Sequence, residues 1–215
     1  MLLDAEFTEK TIRAVREIRV PGSKTSRFRD AFVNSHFNLI ASIYDRAIPF
    51  KRLERTLQVL GLPHAGILLD AGGGTGRVAE ALRPHVGSVV VADVARGMLV
   101  QARQKGLDAS SAETERLPFA DGVFDRVLMV DALHHVVHQG ETVRELFRVL
   151  KPGGRLVIEE PDLRTFAVKL IAVGEKLALM RSHFLSPPQI AALLPPEART
   201  RLEAEDHTAW VIVEK

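Results

Sequence analysis

Ile67-Leu68-Leu69-Asp70-Ala71-Gly72-Gly73-Gly74-Thr75-Gly76 is the stretch that decides the fold. An apolar run enters a glycine-dense turn, and a helical pattern, Arg77 to Leu82, leaves it. A strand that opens into a helix through such a turn is a place for a nucleotide-like ligand. Glycine has no Cβ, so the backbone reaches φ > 0 and a ligand can approach it closely. The helix start adds unpaired N–H groups. Glycines at 72, 74 and 76 read G-x-G-x-G, whereas the dinucleotide fingerprint is G-x-G-x-x-G. Counted from Gly72, the third glycine falls on Arg77. Counted from Gly74, it falls on Ala79, which the degenerate fingerprint tolerates. Spacing alone leaves the dinucleotide reading open.

The next segment narrows the ligand. Ser88-Val89-Val90-Val91-Ala92-Asp93 reads as a buried parallel strand that ends in an acid. Asp93 follows the glycine turn by about 20 residues, where an acid at the second strand's tip accepts hydrogen bonds from ribose hydroxyls. A solvated acid at a strand end would explain Asp93 taken alone. Beside the glycine turn, the ribose reading prevails. No Gly-Lys-Ser/Thr sequence appears, so a phosphate-cradling P-loop is excluded.

The chain has 215 residues, enough for one domain with a sizeable core and too few for two ordinary ones. Apolar residues make up 46% and charged residues 26%, a soluble globular composition. The net charge of +2 is too balanced to point to nucleic acid. Arg13, Arg16, Arg19, Lys24, Arg27 and Arg29 crowd one N-terminal stretch, either as a solvated helix face or as a contact for an anionic substrate or membrane surface. At most peripheral membrane contact is expected, because no apolar run approaches the ~18 residues of a span. The absence of cysteine excludes disulfides, thiolate metal sites and a cysteine nucleophile. With acids at Asp4 and Glu6 there is no secretory pattern, and a cytoplasmic protein is expected.

Helical spacing covers residues 1–20, then about Ser26 to Ala47, where Phe28, Phe32, Phe37, Ile40 and Tyr44 recur, then Lys51 to Leu60. Strands at 67–70, 88–93, 126–130 and 155–159 alternate with helices at 75–82, 95–105 and 140–150, with a short element at 108–111. Lys151-Pro152-Gly153-Gly154 reads as the loop before the strand at 155. Such alternation implies a parallel sheet with helices on both faces. Helices follow at about Leu163 to Met180 and at 187–194. Runs at 199–204 and 208–213 form an expected antiparallel hairpin.

Taken together, these segments resemble the class I S-adenosylmethionine-dependent methyltransferases, most closely the ubiquinone/menaquinone-biosynthesis (type 11) branch. The resemblance is carried, in order, by Leu69 to Gly76, by Val91-Ala92-Asp93 with Met98, by Glu115-Arg116-Leu117-Pro118-Phe119 through Phe124-Asp125, and by Arg148 to Leu156. Phe37 to Asp45 is similar to that branch's opening segment. The resemblance implies an α/β fold, a Rossmann-like seven-stranded and mostly parallel sheet with a C-terminal antiparallel hairpin and an N-terminal helical lid. It implies S-adenosylmethionine as cofactor. Gly72, Gly74, Thr75 and Gly76 would lie under its methionine part, with Asp70 shaping the loop. Asp93 would hold the ribose. Val94 and Met98 would sandwich the adenine, and Glu113 and Thr114 would contact its edge. Asp or Asn followed by Ala is usual there, so Glu113 departs by one methylene. The expected division is 1–60 as lid and acceptor region, 61–160 as cofactor core, and 161–215 as acceptor-side helices and hairpin of the same domain.

In open α/β sheets, ligands bind at the carboxyl ends of strands. The strand at 126–130 therefore delivers Asp131-Ala132-Leu133-His134-His135 to the rim. Alignment of an acceptor with an activated methyl supplies most of the catalysis, roughly 7–11 kcal/mol. A base is needed only if the acceptor must lose a proton, and imidazole suits that near neutral pH. His135, Asp131 and His134 are the catalytic candidates, His135 first, because the branch often places histidine there. The histidines would equally cap the following helix, and Asp131 would equally meet the cofactor's amino group. His36, His64, His85 and His138 share no metal spacing with carboxylates, so no metal is expected. Phe28, Phe32, Phe37, Phe166, Leu170, Leu177 and Phe184 suggest an apolar small-molecule acceptor methylated at carbon or oxygen, and core packing explains the same residues. Methylation at nitrogen or on a lipid head group, and a catalytically silent cofactor-binding protein, are the rivals. Oligomeric state does not follow from the sequence.

Overall fold

The computed structural model describes Asp45, residues 50–162 and residues 183–215. The helices expected over 1–20, 26–47 and 163–180, with His36, Tyr44, Phe166, Leu170 and Leu177, lie outside the described residues.

Seven strands form one sheet: β1 (His64–Ala71), β2 (Val86–Asp93), β3 (Asp108–Ser111), β4 (Phe124–Val130), β5 (Leu150–Pro161), β6 (Arg199–Glu205) and β7 (Thr208–Glu214). Their order is β3-β2-β1-β4-β5-β7-β6. The first five run parallel, and β7 pairs antiparallel with both β5 and β6. The expected hairpin is present, and β7 fills the gap between β5 and β6.

Alternation along the strands sorts the core into two faces. Leu69, Val127, Met129, Leu156, Ile158, Val211 and Val213 point to one side. There they meet α4 (Gln139–Val149), through Val143, Leu146 and Phe147, and the short α5 (Pro187–Ala191), through Ile190. Leu68, Leu128, Val157, Trp210 and Ile212 point to the other side. There they meet α1 (Leu53–Leu60), α2 (Arg77–Leu82) and α3 (Arg96–Gln104), through Val59, Leu60, Val78, Leu82, Leu99 and Ala102. Burying each such side chain contributes roughly 1.5–3 kcal/mol.

One expected loop is part of a strand. Lys151-Pro152-Gly153-Gly154 lies within β5, where the register against β4 jumps between Phe124↔Leu150 and Arg126↔Arg155. The four residues form a bulge. Gly153 takes φ +77° and its N–H reaches the Lys215 carbonyl at 2.8 Å. Lys151 Nζ reaches both oxygens of the Asp125 carboxylate, at 2.9 and 3.0 Å.

Candidate active site

The carboxyl ends of β1, β2 and β4 bring the glycine turn, Asp93 and Asp131 together. Gly72 leaves β1 at φ +70°, and its N–H donates to the Ala92 carbonyl at 2.7 Å. A Cβ on Gly72 would lie 2.8 Å from the Ala132 Cβ, so the turn after β4 packs directly on this glycine. Gly74 takes φ +55°, and among the described residues a Cβ there would meet nothing within 4 Å. Among those residues the turn is closed at Gly72 and open at Gly74. Gly76 is glycine for packing, since its Cβ would fall 2.4 Å from Leu107 Cδ1. The Thr75 hydroxyl is buried and donates to the Asp45 carboxylate, which also accepts from Lys105 Nζ.

Asp93 joins the turn to β2. One oxygen accepts the Gly74 N–H at 2.9 Å and the other the Ala95 N–H at 2.7 Å. Burial nevertheless raises its carboxyl above the usual range, against those hydrogen bonds. Val94 follows as an exposed apolar side chain, while Met98 is buried in α3. The Ala112 N–H donates to the Asp93 carbonyl at 3.0 Å, so residues 112–114 run beside the end of β2. Glu113 is exposed there. Thr114 is buried, with its hydroxyl 3.1 Å from that of Thr142 on α4.

Asp70 is only 1% exposed, and among the described residues its Oδ2 has no hydrogen-bond partner. Burial pushes its carboxyl up to about 7, although Arg77 pulls it down. Buried polar atoms are rarely left orphaned, so Asp70 awaits a donor or a cation. The resident chemistry fits S-adenosylmethionine, which carries an ammonium, a sulfonium and a ribose diol, and has no phosphate. Two desolvated acids and the open side of Gly74 match those groups.

Asp131 ends β4 in the left-handed region, at φ 50°. Its carboxylate lies 3.8 Å from Arg77 and 3.9 Å from Arg52. Burial first, then Glu159 and Glu160, raise it to about 6, against the two arginines. His134 and His135 form a 3-10 turn, with rings 4.0 Å apart. His134 is buried, and its Nδ1 lies 2.5 Å from Glu160 Oε2. His135 is half-buried, and desolvation with the His134 ring lowers it to about 3, so its imidazole is neutral across the physiological range.

No motif points to a role for Arg52, Arg77 or Glu160, and Asp45 enters only as the last residue of the segment from Phe37 that resembles the type 11 branch. For Glu160 the rule of strand carboxyl ends applies to β5 as it does to β4, and would have found it. Arg77 directly follows the glycine turn. Asp45 lies 30 residues before Thr75, and its pairing with the Thr75 hydroxyl is not readable from that segment.

A family described as "Methyltransferase domain" matches residues 69–158. The ubiquinone/menaquinone biosynthesis C-methyltransferase UbiE of Pseudomonas aeruginosa is 39% identical over 49% of this chain and 45% of its own length. That of Stutzerimonas stutzeri is 37% identical over the same shares. The chain thus spans under half the length of these curated relatives. A methyltransferase structure from Aquifex aeolicus superposes with a TM-score of 0.63 at 21% identity, covering 84% of this chain and 97% of that one. The [4+2]-cyclase SpnF superposes with a TM-score of 0.56 at 22% identity, covering 63% and 61%. Likeness at that identity establishes the fold and leaves the reaction open. The sheet order, the glycine turn and the ordered motifs agree with the match: residues 69–158 carry a methyltransferase domain, in the Rossmann-like fold of the class I S-adenosylmethionine-dependent methyltransferases.

Proposed function

We propose that this protein transfers a methyl group from S-adenosylmethionine to carbon or oxygen of a small apolar acceptor of hydroquinone type. The observation that carries the donor side is the buried Asp70 Oδ2, unpartnered among the described residues, in a glycine turn that those residues leave open at Gly74. The name of the UbiE relatives supports the acceptor class. When bound, the cofactor supplies an electrophilic methyl on a sulfonium. The chain's own part is to hold and align. Asp70 and Asp93 compensate positive charge and hydrogen-bond donors, Val94 and Met98 flank the base, and Glu113 and Thr114 border its edge. Gly72, Gly74, Thr75 and Gly76 let the backbone approach the amino-acid end. Asp131 and His135 face the acceptor. The neutral His135 imidazole accepts a hydrogen bond from an acceptor hydroxyl, and Asp131, raised to about 6, is the stronger base of the two. Residues 1–60 and 161–215 supply the acceptor walls around the core at 61–160.

Calorimetric titration with S-adenosylmethionine and S-adenosylhomocysteine tests the donor side. Asp93→Ala should weaken both by about 10- to 100-fold, the loss of charge-assisted hydrogen bonds to the ribose. Unchanged affinity would remove the ribose assignment, and no binding by the wild type would remove the reading. Release of S-adenosylhomocysteine with alkyl benzo- and naphthohydroquinones tests the acceptor. Turnover confined to amines or to lipid head groups would replace it.

A further inference from the structure

Glu160 lies at the carboxyl end of β5 with its carboxylate buried. Its Oε1 accepts the backbone N–H of Ala132 at 3.0 Å and that of Leu133 at 2.8 Å. Its Oε2 lies 2.5 Å from His134 Nδ1. A carboxylate only accepts, so Nδ1 carries the proton. The His134 ring lies flat on Phe184, with centroids 4.4 Å apart and planes inclined by 11°. The His134 carbonyl accepts the His183 N–H at 2.8 Å. One carboxylate thus binds three consecutive residues of the turn after β4. That turn begins with Asp131 in the left-handed region, which residues other than glycine adopt uncommonly. The same turn sets Ala132 against Gly72, in the cofactor cradle.

We infer that Glu160 is a positioning residue for the cofactor cradle: by holding the N–H groups of Ala132 and Leu133 and the His134 ring, it keeps the turn after β4 pressed on Gly72. The inference rests on the methyltransferase reading. Glu160 need not touch the ligand. It fixes the wall that Ala132 forms, and with it the place of the Asp131 carboxylate beside Arg77. Without an acceptor at this point, two buried N–H groups and an imidazole lose their partner, and the turn relaxes away from the glycines.

The test is calorimetry with S-adenosylhomocysteine on wild type, Glu160→Ala, Glu160→Gln and Leu146→Ala, with melting temperatures and imidazole nitrogen spectra. Glu160→Ala should bind at least about 10-fold more weakly. Glu160→Gln keeps a carbonyl oxygen for the two N–H groups, so its affinity should stay within about 3-fold of wild type. Its amide then donates to Nδ1, and His134 should change from the Nδ1–H to the Nε2–H form in the spectrum. Leu146→Ala opens a cavity in the core beneath α4. It should lower the melting temperature and leave affinity within about 3-fold. If Glu160→Ala does not fold, Glu160→Asp takes its place; one methylene shorter, it cannot serve both groups and should show the same loss. Wild-type affinity in Glu160→Ala or Glu160→Asp, an equal loss in Glu160→Gln, or an equal loss in Leu146→Ala would overturn the inference. If wild type binds and Glu160→Ala binds as well, only this inference fails. If wild type binds neither form of the cofactor, the methyltransferase reading fails with it.

Discussion

Two glycines of one turn differ in what their missing Cβ leaves room for. At Gly74 that space holds no atom of the described residues within 4 Å, and at Gly72 it holds Ala132 at 2.8 Å. Alanine at φ +55° costs roughly 1–2 kcal/mol. Gly74→Ala should therefore lose about that much stability while weakening S-adenosylhomocysteine by at least about 10-fold, because its methyl would enter the space proposed for the ligand. Gly72→Ala should lose more stability than Gly74→Ala, because strain and overlap with Ala132 add. Thermal melts without ligand and calorimetry separate the two. Asp70 makes a pH prediction. Its carboxyl stands at about 7 in the folded chain against 3.8 unfolded, so between those values the folded state holds the extra proton. Stability contributed at this site therefore falls as pH rises from about 4 to 7 and levels off above that. Asp70→Asn carries no such charge. Its melting temperature relative to wild type, without ligand, should climb on the order of 5 °C between pH 5 and pH 8. A difference independent of pH would show that Asp70 is not the desolvated acid described. Asp70, Gly72 and Asp93 are legible in the sequence because a motif fixes their place. Glu160 is legible only in its place: the strand-end rule puts it at the rim, but neither composition nor spacing reveals that its carboxylate turns inward onto backbone N–H groups.

At the scale of elements, sequence pattern and structure agree where periodicity is strong. Strands expected at 67–70, 88–93, 126–130 and 155–159 correspond to the interiors of β1, β2, β4 and β5, where alternation between two buried faces leaves continuous apolar runs. The bulge at 151–154 is not legible. Its Pro and glycines signal a break equally well whether the chain leaves the sheet or swells within it. The spacing of the Leu117-Pro118-Phe119 and Arg148 motifs has a physical reason only the fold reveals. The Arg148 guanidinium donates to the Leu117 carbonyl at 3.2 Å, to the Phe119 carbonyl at 2.9 Å and to Asp121 at 2.6 Å, and it pairs with Glu145 at 2.8 Å. The Glu145 carboxylate takes the Leu117 N–H at 2.9 Å. Helix α4 thus clamps the segment that leads from residues 113–114 back into β4. Two motifs 30 residues apart are one interaction.

On the scale of the molecule, the parallel core is finished by a strand from the far end of the chain. β7 lies between β5 and β6, and its Trp210, 1% exposed, sits in the face covered by α1, α2 and α3. The Trp210 indole N–H donates to Glu159 Oε2 at 2.8 Å, while Glu159 Oε1 pairs with Arg52 at 2.6 Å. Arg55 stacks over the same indole, 5.0 Å from its centroid. The start of α1, the carboxyl end of β5 and β7 therefore meet at one fully buried carboxylate. A buried charge is tolerated only when its lone pairs are used, so this junction holds as a unit. Trp210→Phe keeps an aromatic ring in the core and removes the single indole donor. It should cost about 1–3 kcal/mol for the unsatisfied oxygen, beyond what a smaller ring loses in packing. The loss should appear as a lower urea midpoint with an unchanged slope, because the same surface is still exposed on unfolding. A double-mutant cycle with Glu159→Gln isolates the hydrogen bond, since the Trp210→Phe penalty should shrink when the charge at 159 is gone. An equal penalty in both backgrounds would place the effect in ring packing and dissolve the junction into independent contacts.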